Sequence, residues 1–151
     1  MNFPVFDLHC DTITGLSGRD LNGNGNIRSN QMHIDLERGA KLGGYAQCFA
    51  FWSTTDMKLP HGLKVHDLFW RQVSYLQDYI DKNSDLIRQA RTGEEIRKNL
   101  EDGLISAIFT LEGPAGIGFD PGKLEKLHDL GFRIFFTNLS NNMAHAAAAS
   151  V

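Results

Sequence analysis

Residues 5–12 read VFDLHCDT, an apolar run into which an aspartate, a histidine and a second aspartate are set at every other position. In an extended strand alternate side chains share a face, so a regular pleat predicts Asp7, His9 and Asp11 on one side and Leu8 and Cys10 on the other. His9 and Asp11 then stand where the strand runs out. In a parallel α/β sheet that is the carboxyl edge, the edge on which barrels and open sheets carry their active sites. An imidazole nitrogen and a carboxylate oxygen held there suit zinc, with manganese or cobalt as alternatives. The same two groups could instead hydrogen-bond each other or cap the next turn, and the dipeptide spacing alone does not choose.

Working outward, four segments read as strands: FPVFDL (3–8), GYAQCFAFW (44–52), LISAIFTL (104–111) and FRIFFTN (132–138). Their apolar character is nearly continuous, which fits strands covered on both faces in a parallel sheet. Helical patterns fall between them. Over 64–83, Val65, Leu68, Phe69, Val73, Leu76, Tyr79 and Ile80 recur at helical spacing and form one apolar stripe. Over 92–103, Thr92 and Glu95 have capping-box spacing and Gly103 is placed to stop the helix; over 120–131, an Asp-Pro start, three leucines on one face and a final glycine repeat the pattern. The order strand, loop, strand, helices, strand, helix, strand is a run of βα units, and right-handed crossovers lay such strands parallel.

The third strand supplies a second polar group. Glu112 follows IFTL directly and precedes Gly113 and Pro114, so in a parallel sheet it faces the same rim as His9 and Asp11. A carboxylate there could bridge two metal ions, or could simply occupy a turn.

Composition narrows the alternatives. The 151 residues are 42% hydrophobic and 22% charged, enough for one core, and a net charge of −3 gives no pull toward nucleic acid or an anionic membrane surface. No apolar run approaches the ~20 residues of a membrane span, and MNFPVFDLH carries no basic leader region, so the expectation is a cytoplasmic chain. Its two cysteines, Cys10 and Cys48, each lie in an apolar stretch and read as buried thiols rather than a disulfide framework.

Taken in order, VFDLHCDT, HIDLERGAKLGGYAQCFAFW (33–52), GLISAIFTLEGPAGIG (103–118) and KLHDLGFRIFFTN (126–138) resemble the first half of the renal or membrane dipeptidase family of zinc metallopeptidases. The resemblance implies a (β/α)8 barrel of the TIM type, with this chain, 1–151, as its first half of about four βα units. It implies a site of two zinc ions in which His9 and Asp11 bind one metal and Glu112 bridges both. The activity implied is hydrolysis of dipeptides by a water that the paired cations activate and share, with no Ser or Cys nucleophile.

The sequence also departs from the family pattern. A complete barrel has eight strands and ~250 residues, and the two histidines that the family supplies to the second metal from its later strands have no counterpart here. His33, His61, His66, His128 and His145 precede the relevant blocks or fall on loops and helices, and His66 and His128 read as solvated helix residues. Asn138 stands where many family members carry a substrate-contacting histidine; it donates a hydrogen bond but holds no proton or charge. The tail AHAAAASV (144–151) diverges as well. A truncated coding sequence, a frameshift or a deliberate shortening would each give this length, and a half barrel is expected to have its open face covered by a second copy or by the remaining half.

Two other readings remain open. One is a non-catalytic relative that keeps a single structural metal site. The other is a calcium loop at 20–31, where Asp20, Asn22, Asn24, Gly25, Asn26 and Ile27 fall on EF-hand positions, although Gln31 replaces the bidentate glutamate.

Overall fold

A computed structural model describes residues 3–19, 26–59 and 62–136. Among the described residues five strands form one all-parallel sheet: β1 (Val5–Cys10), β2 (Tyr45–Trp52), β3 (Ile87–Gln89), β4 (Ile105–Glu112) and β5 (Phe132–Phe136). β1 pairs with β2 and β2 with β4. The far side of β4 is shared, its Ile105–Ala107 portion by β3 and its Phe109–Glu112 portion by β5. β4 is therefore paired along both edges, and its burial is continuous from Ile105 to Leu111.

The helices are α1 (Thr12–Arg19), α2 (Leu36–Ala40), α3 (Val65–Lys82), α4 (Gly93–Glu101) and α5 (Leu124–Asp129). α3 realises the predicted stripe: Leu68, Phe69, Val73 and Leu76 are buried, while Val65, Tyr79 and Ile80 are half-buried at its margins. Against it lie Phe49 and Phe51 of β2, Ile105, Ala107, Phe109 and Leu111 of β4, and Phe132 of β5. Phe51, Phe69, Phe109 and Phe132 touch with ring centroids 4.9–6.1 Å apart, a geometry that adds to simple area burial. α4 is capped as expected, Thr92 Oγ1 accepting from Glu95 N at 3.1 Å, but the Glu95 carboxylate returns to Arg91 N rather than to Thr92 N. Gly103 (φ +73°) and Gly131 (φ +96°) follow α4 and α5 in the left-handed region that favours glycine.

Several elements differ from the sequence reading, among them α2, which forms within the stretch read as a loop between the first two strands. The stretch after β1, read as a loop, is α1, whose sequence TITGLSGR has two Thr and two Gly and little intrinsic helix preference. Tertiary contact sustains it: Ile13 and Leu16 enter the main core, and Gln72 of α3 donates to Ser17 Oγ at 3.0 Å. β3 is an additional strand of three residues, IRQ, too short and too polar to show a period. The expected helix over 120–131 begins as a 3₁₀ turn, Pro121–Lys123, with Asp120 capping Gly122 N, and becomes α-helical at Leu124.

The opposite face of the sheet carries smaller residues, Ala46 and Cys48 of β2 and Ile108 of β4, with Ile96 and Ile134 against them. Phe6 lines a cavity of about 180 Å³ there with Ala90, Ile108 and Ile134. Phe6, Leu8 and Phe136 are exposed large apolar residues. Both cysteines are buried free thiols, as expected. Among the described residues no helix is long and apolar enough to cross a membrane.

Candidate metal centre

The three side chains singled out in the sequence meet at the carboxyl end of the sheet. His9, Asp11 and Glu112 each offer a ligand atom, and these atoms lie within 4.8 Å of one another. His9 Nε2 and Glu112 Oε2 are 2.7 Å apart, joining residues 103 positions distant in sequence. Glu112 is the last residue of β4 rather than the residue after it, and its register partners are Trp52 on β2 and Phe136 on β5. The Phe136 ring meets the His9 imidazole edge-on at 6.5 Å. The histidine side chain is 43% exposed and the glutamate 23%, so the group is open to solute yet tied to the sheet.

The donor set fits a divalent cation. Tetrahedral zinc with bonds of ~2.0–2.2 Å needs donors roughly 3.3–3.5 Å apart. The His9–Glu112 pair, 2.7 Å apart, would open by roughly 0.6–0.8 Å to reach that spacing, and the exposed Asp11, just before α1, offers an oxygen within 4.8 Å of both. One nitrogen and two carboxylates are the hard-to-borderline ligands that zinc, manganese or cobalt accept. Cys10, between two of these residues in sequence, is no competitor: it points into the main core, and burial pushes its thiol up to about 11.

β1 does not follow a regular pleat. Its register with β2 runs Asp7 to Gln47 and then Cys10 to Phe49, three residues against two, which is a β-bulge. Gln47 and Phe49 share a face, so Asp7 and Cys10 share it too, and the expectation that Asp7 points with His9 is corrected. Asp7 instead accepts from the buried Tyr45 hydroxyl at 3.3 Å and, through Oδ1, from the His9 backbone N–H at 3.2 Å. Burial first, and then the neighbouring Asp7 carboxylate, hold the Tyr45 phenol protonated far above its ordinary range, so it remains a donor.

Ser53 and His66 shape the loop after Glu112. Buried Ser53 donates through Oγ to Gly113 O at 3.2 Å, accepts from Gly116 N at 2.8 Å, and donates its own N–H to Glu112 O at 3.0 Å. His66 was read as a solvated helix residue. It is half-buried on α3, and its Nδ1 donates to Gly116 O at 2.9 Å, fixing the tautomer of that ring. Gly116 is required where it sits, because a Cβ would lie 2.6 Å from the Phe69 ring. A serine after an apolar strand and a histidine on a helix face carry no periodic signal, so nothing in the sequence marked this clamp. His128 is exposed, as expected.

Asn138, His61 and His145 lie outside the described residues. So do positions 20–25 of the calcium-loop reading; in its described part Asn26 Oδ1 accepts from Arg28 N and Ser29 N, and Asn30 Oδ1 from Met32 N, so both amide oxygens cap backbone N–H groups.

A parallel sheet with its core helices on one face and a group of three candidate metal donors at the strand ends is the arrangement of an α/β barrel fragment. The sequence matches the family model described as membrane dipeptidase, peptidase family M19, over residues 1–151, and the chain belongs to that family. It is 29% identical over 119 residues to "Dipeptidase verJ" of Clonostachys rogersoniana, an alignment covering 74% of this chain and 31% of that protein. The crystal structure of dipeptidase AC, a metallopeptidase of family M19, superposes with a TM-score of 0.73 at 25% identity, covering 89% of this chain and 42% of the other. A metallopeptidase from Rhodobacter sphaeroides, liganded with a phosphinate mimic of the dipeptide L-Ala-D-Ala, superposes with a TM-score of 0.70 at 24% identity, covering 89% and 45%. The chain thus spans less than half the length of these relatives.

Proposed function

We propose that residues 1–151 form the N-terminal half of a zinc-dependent dipeptidase barrel and that His9, Asp11 and Glu112 are its metal ligands. The observation that carries this reading is the 2.7 Å approach of His9 to Glu112 across the sheet, with Asp11 in the same group. His9, Asp11 and Glu112 would hold a divalent cation, which would supply Lewis-acid polarisation of a scissile carbonyl and a water of lowered pKa. The chain's own residues do the rest. His9 and Asp11 set the position from β1, and Glu112, with two carboxylate oxygens, is the group able to face two ions. Trp52 and Phe136 flank Glu112 in register and offer aromatic surface to an apolar substrate side chain. Asn138 serves as a substrate hydrogen-bond donor in this reading, in place of a group that could carry charge. The phosphinate-liganded relative supports a dipeptide as substrate class, since a tetrahedral phosphinate has the shape of a hydrated peptide carbonyl. The exposed Phe6 and Leu8 are covered by the remaining half of the barrel or by a second copy.

Equilibrium dialysis against zinc, with and without Glu112→Gln, tests the ligand set, and hydrolysis of Ala-D-Ala tests the activity. Expected is micromolar or tighter binding by the parent, proton release into weakly buffered solution on zinc addition, and a loss of affinity of about 10–100-fold or more in the variant. A parent chain that binds no divalent cation at micromolar concentration overturns the reading. One zinc per chain with no turnover favours the non-catalytic relative.

A further inference from the structure

Register decides which residues can reach Glu112. Glu112 pairs with Trp52 and lies on the face of Ala50 and Cys48; Phe51, Phe49, Gln47 and Tyr45 point the other way, into the helix-covered core. Val5 and Asp7 pair with Tyr45 and Gln47 and so belong to that second face. Continued regularly, β1 would put His9 there as well, on the wrong side of the sheet from Glu112. The bulge between Asp7 and Cys10 inserts one residue, reverses the alternation and turns the imidazole to the carboxylate.

Leu8 and His9 have no register partner on β2, and Leu8 stands 65% exposed as the extra residue. What takes the His9 N–H is Asp7 Oδ1, in the i to i+2 pattern of an Asx turn. The other carboxylate oxygen faces Tyr45, whose single hydroxyl proton lies between Asp7 Oδ2 and the Gln47 amide oxygen. Gln47 is fully buried and donates through Nε2 to Cys48 O at 2.9 Å. A chain of polar contacts thus runs from the interior of β2 to the backbone amide of His9.

We propose that Asp7 is a positioning residue of the metal centre: by accepting the His9 N–H and leaning on Tyr45 it holds the β1 bulge that turns His9 onto the Glu112 face. The proposal rests on the dipeptidase reading for its purpose but not for its geometry. It separates Asp7→Asn from Asp7→Ala. An asparagine keeps an oxygen for the His9 N–H and presents its NH₂ to the Tyr45 oxygen, which can accept; an alanine leaves the amide unheld.

The test uses the metal-free 151-residue chain and the NMR signals of the His9 ring. In the parent and in Asp7→Asn those signals should shift when Glu112→Gln is added, because the ring touches that carboxylate. In Asp7→Ala the shift should be lost, and zinc affinity by competition should fall about 10–100-fold, with Asp7→Asn retaining most of it. Amide exchange on the parent covers the case in which Asp7→Ala does not fold: the His9 N–H should be protected relative to that of Leu8. Three results each overturn the proposal: a His9 N–H as labile as Leu8, a folded Asp7→Ala whose ring still responds to Glu112→Gln, or an Asp7→Asn that behaves like the alanine variant. Intact ring and exchange results with no zinc binding by the parent would sink the dipeptidase reading instead.

Discussion

The tips of β1 and β4 supply the same centre by different means. β4 is paired on both edges, buried from Ile105 to Leu111, and delivers Glu112 by simple alternation. β1 pairs, among the described residues, with β2 alone, is exposed over most of its length, and delivers His9 through a bulge. A central strand has its side chains aimed by two ladders and a packed core. Among the described residues β1 has one ladder, and Asp7 adds side-chain hydrogen bonds to it. Among the described residues, then, the carboxylate is aimed by strand pairing on both sides, and the imidazole by one ladder together with the Asp7 hydrogen bond to its backbone.

The contrast can be broken first at the core. Phe109→Ala in β4 removes a ring packed against Phe51 and Phe132 and should cost about 3–5 kcal/mol, whereas Leu8→Ser in β1 should stay within ~0.5 kcal/mol; urea melts of the two variants measure the gap. Comparable losses would show that β1 is as firmly held as β4. Next comes the loop behind Glu112. Ser53→Ala leaves Gly116 N without its acceptor and Gly113 O without its hydroxyl donor, for an expected loss of roughly 1–3 kcal/mol in the same melts. A neutral result would mean that β4 needs no clamp beyond its ladders.

The smallest effect lies away from both tips and serves as their control. Asp35 caps α2, accepting from Arg38 N at 2.8 Å and Asn30 N at 3.3 Å. Burial acts to raise its carboxyl, but these N–H groups and the Arg38 guanidinium outweigh it and hold the group below the usual carboxylate range. A folded pKa lowered in this way contributes stability that is complete above the unfolded value near ~3.9 and is lost as pH falls through the folded value. Asp35→Asn should therefore cost about 1 kcal/mol at neutral pH, with the gap to the parent closing below about pH 4. Thermal melts across pH 2.5–7 (roughly the span set by the carboxylate reference value) check it, and a gap that persists in acid would contradict the assignment.

Much of the molecule is legible in one dimension. The continuous apolar runs of β2 and β4, the stripe of α3, the Thr92 cap and the glycine stops are local regularities, repeated every two or every three to four residues, and a sequence displays them directly. The candidate ligands are legible for a similar reason: His9, Asp11 and Glu112 stand at the ends of such runs, and the ordered blocks around them identify the membrane dipeptidase family. What only the tertiary structure decided is the aim. The bulge that separates Asp7 from His9, the formation of α1 from a poor helix sequence, and the hold of Ser53 and His66 on the loop after Glu112 all depend on contacts between segments far apart in the chain. Local periodicity fixes which side chains alternate along a strand; one inserted residue reverses that alternation, and the partners that stabilise the insertion, Tyr45 and Gln47, sit on another strand.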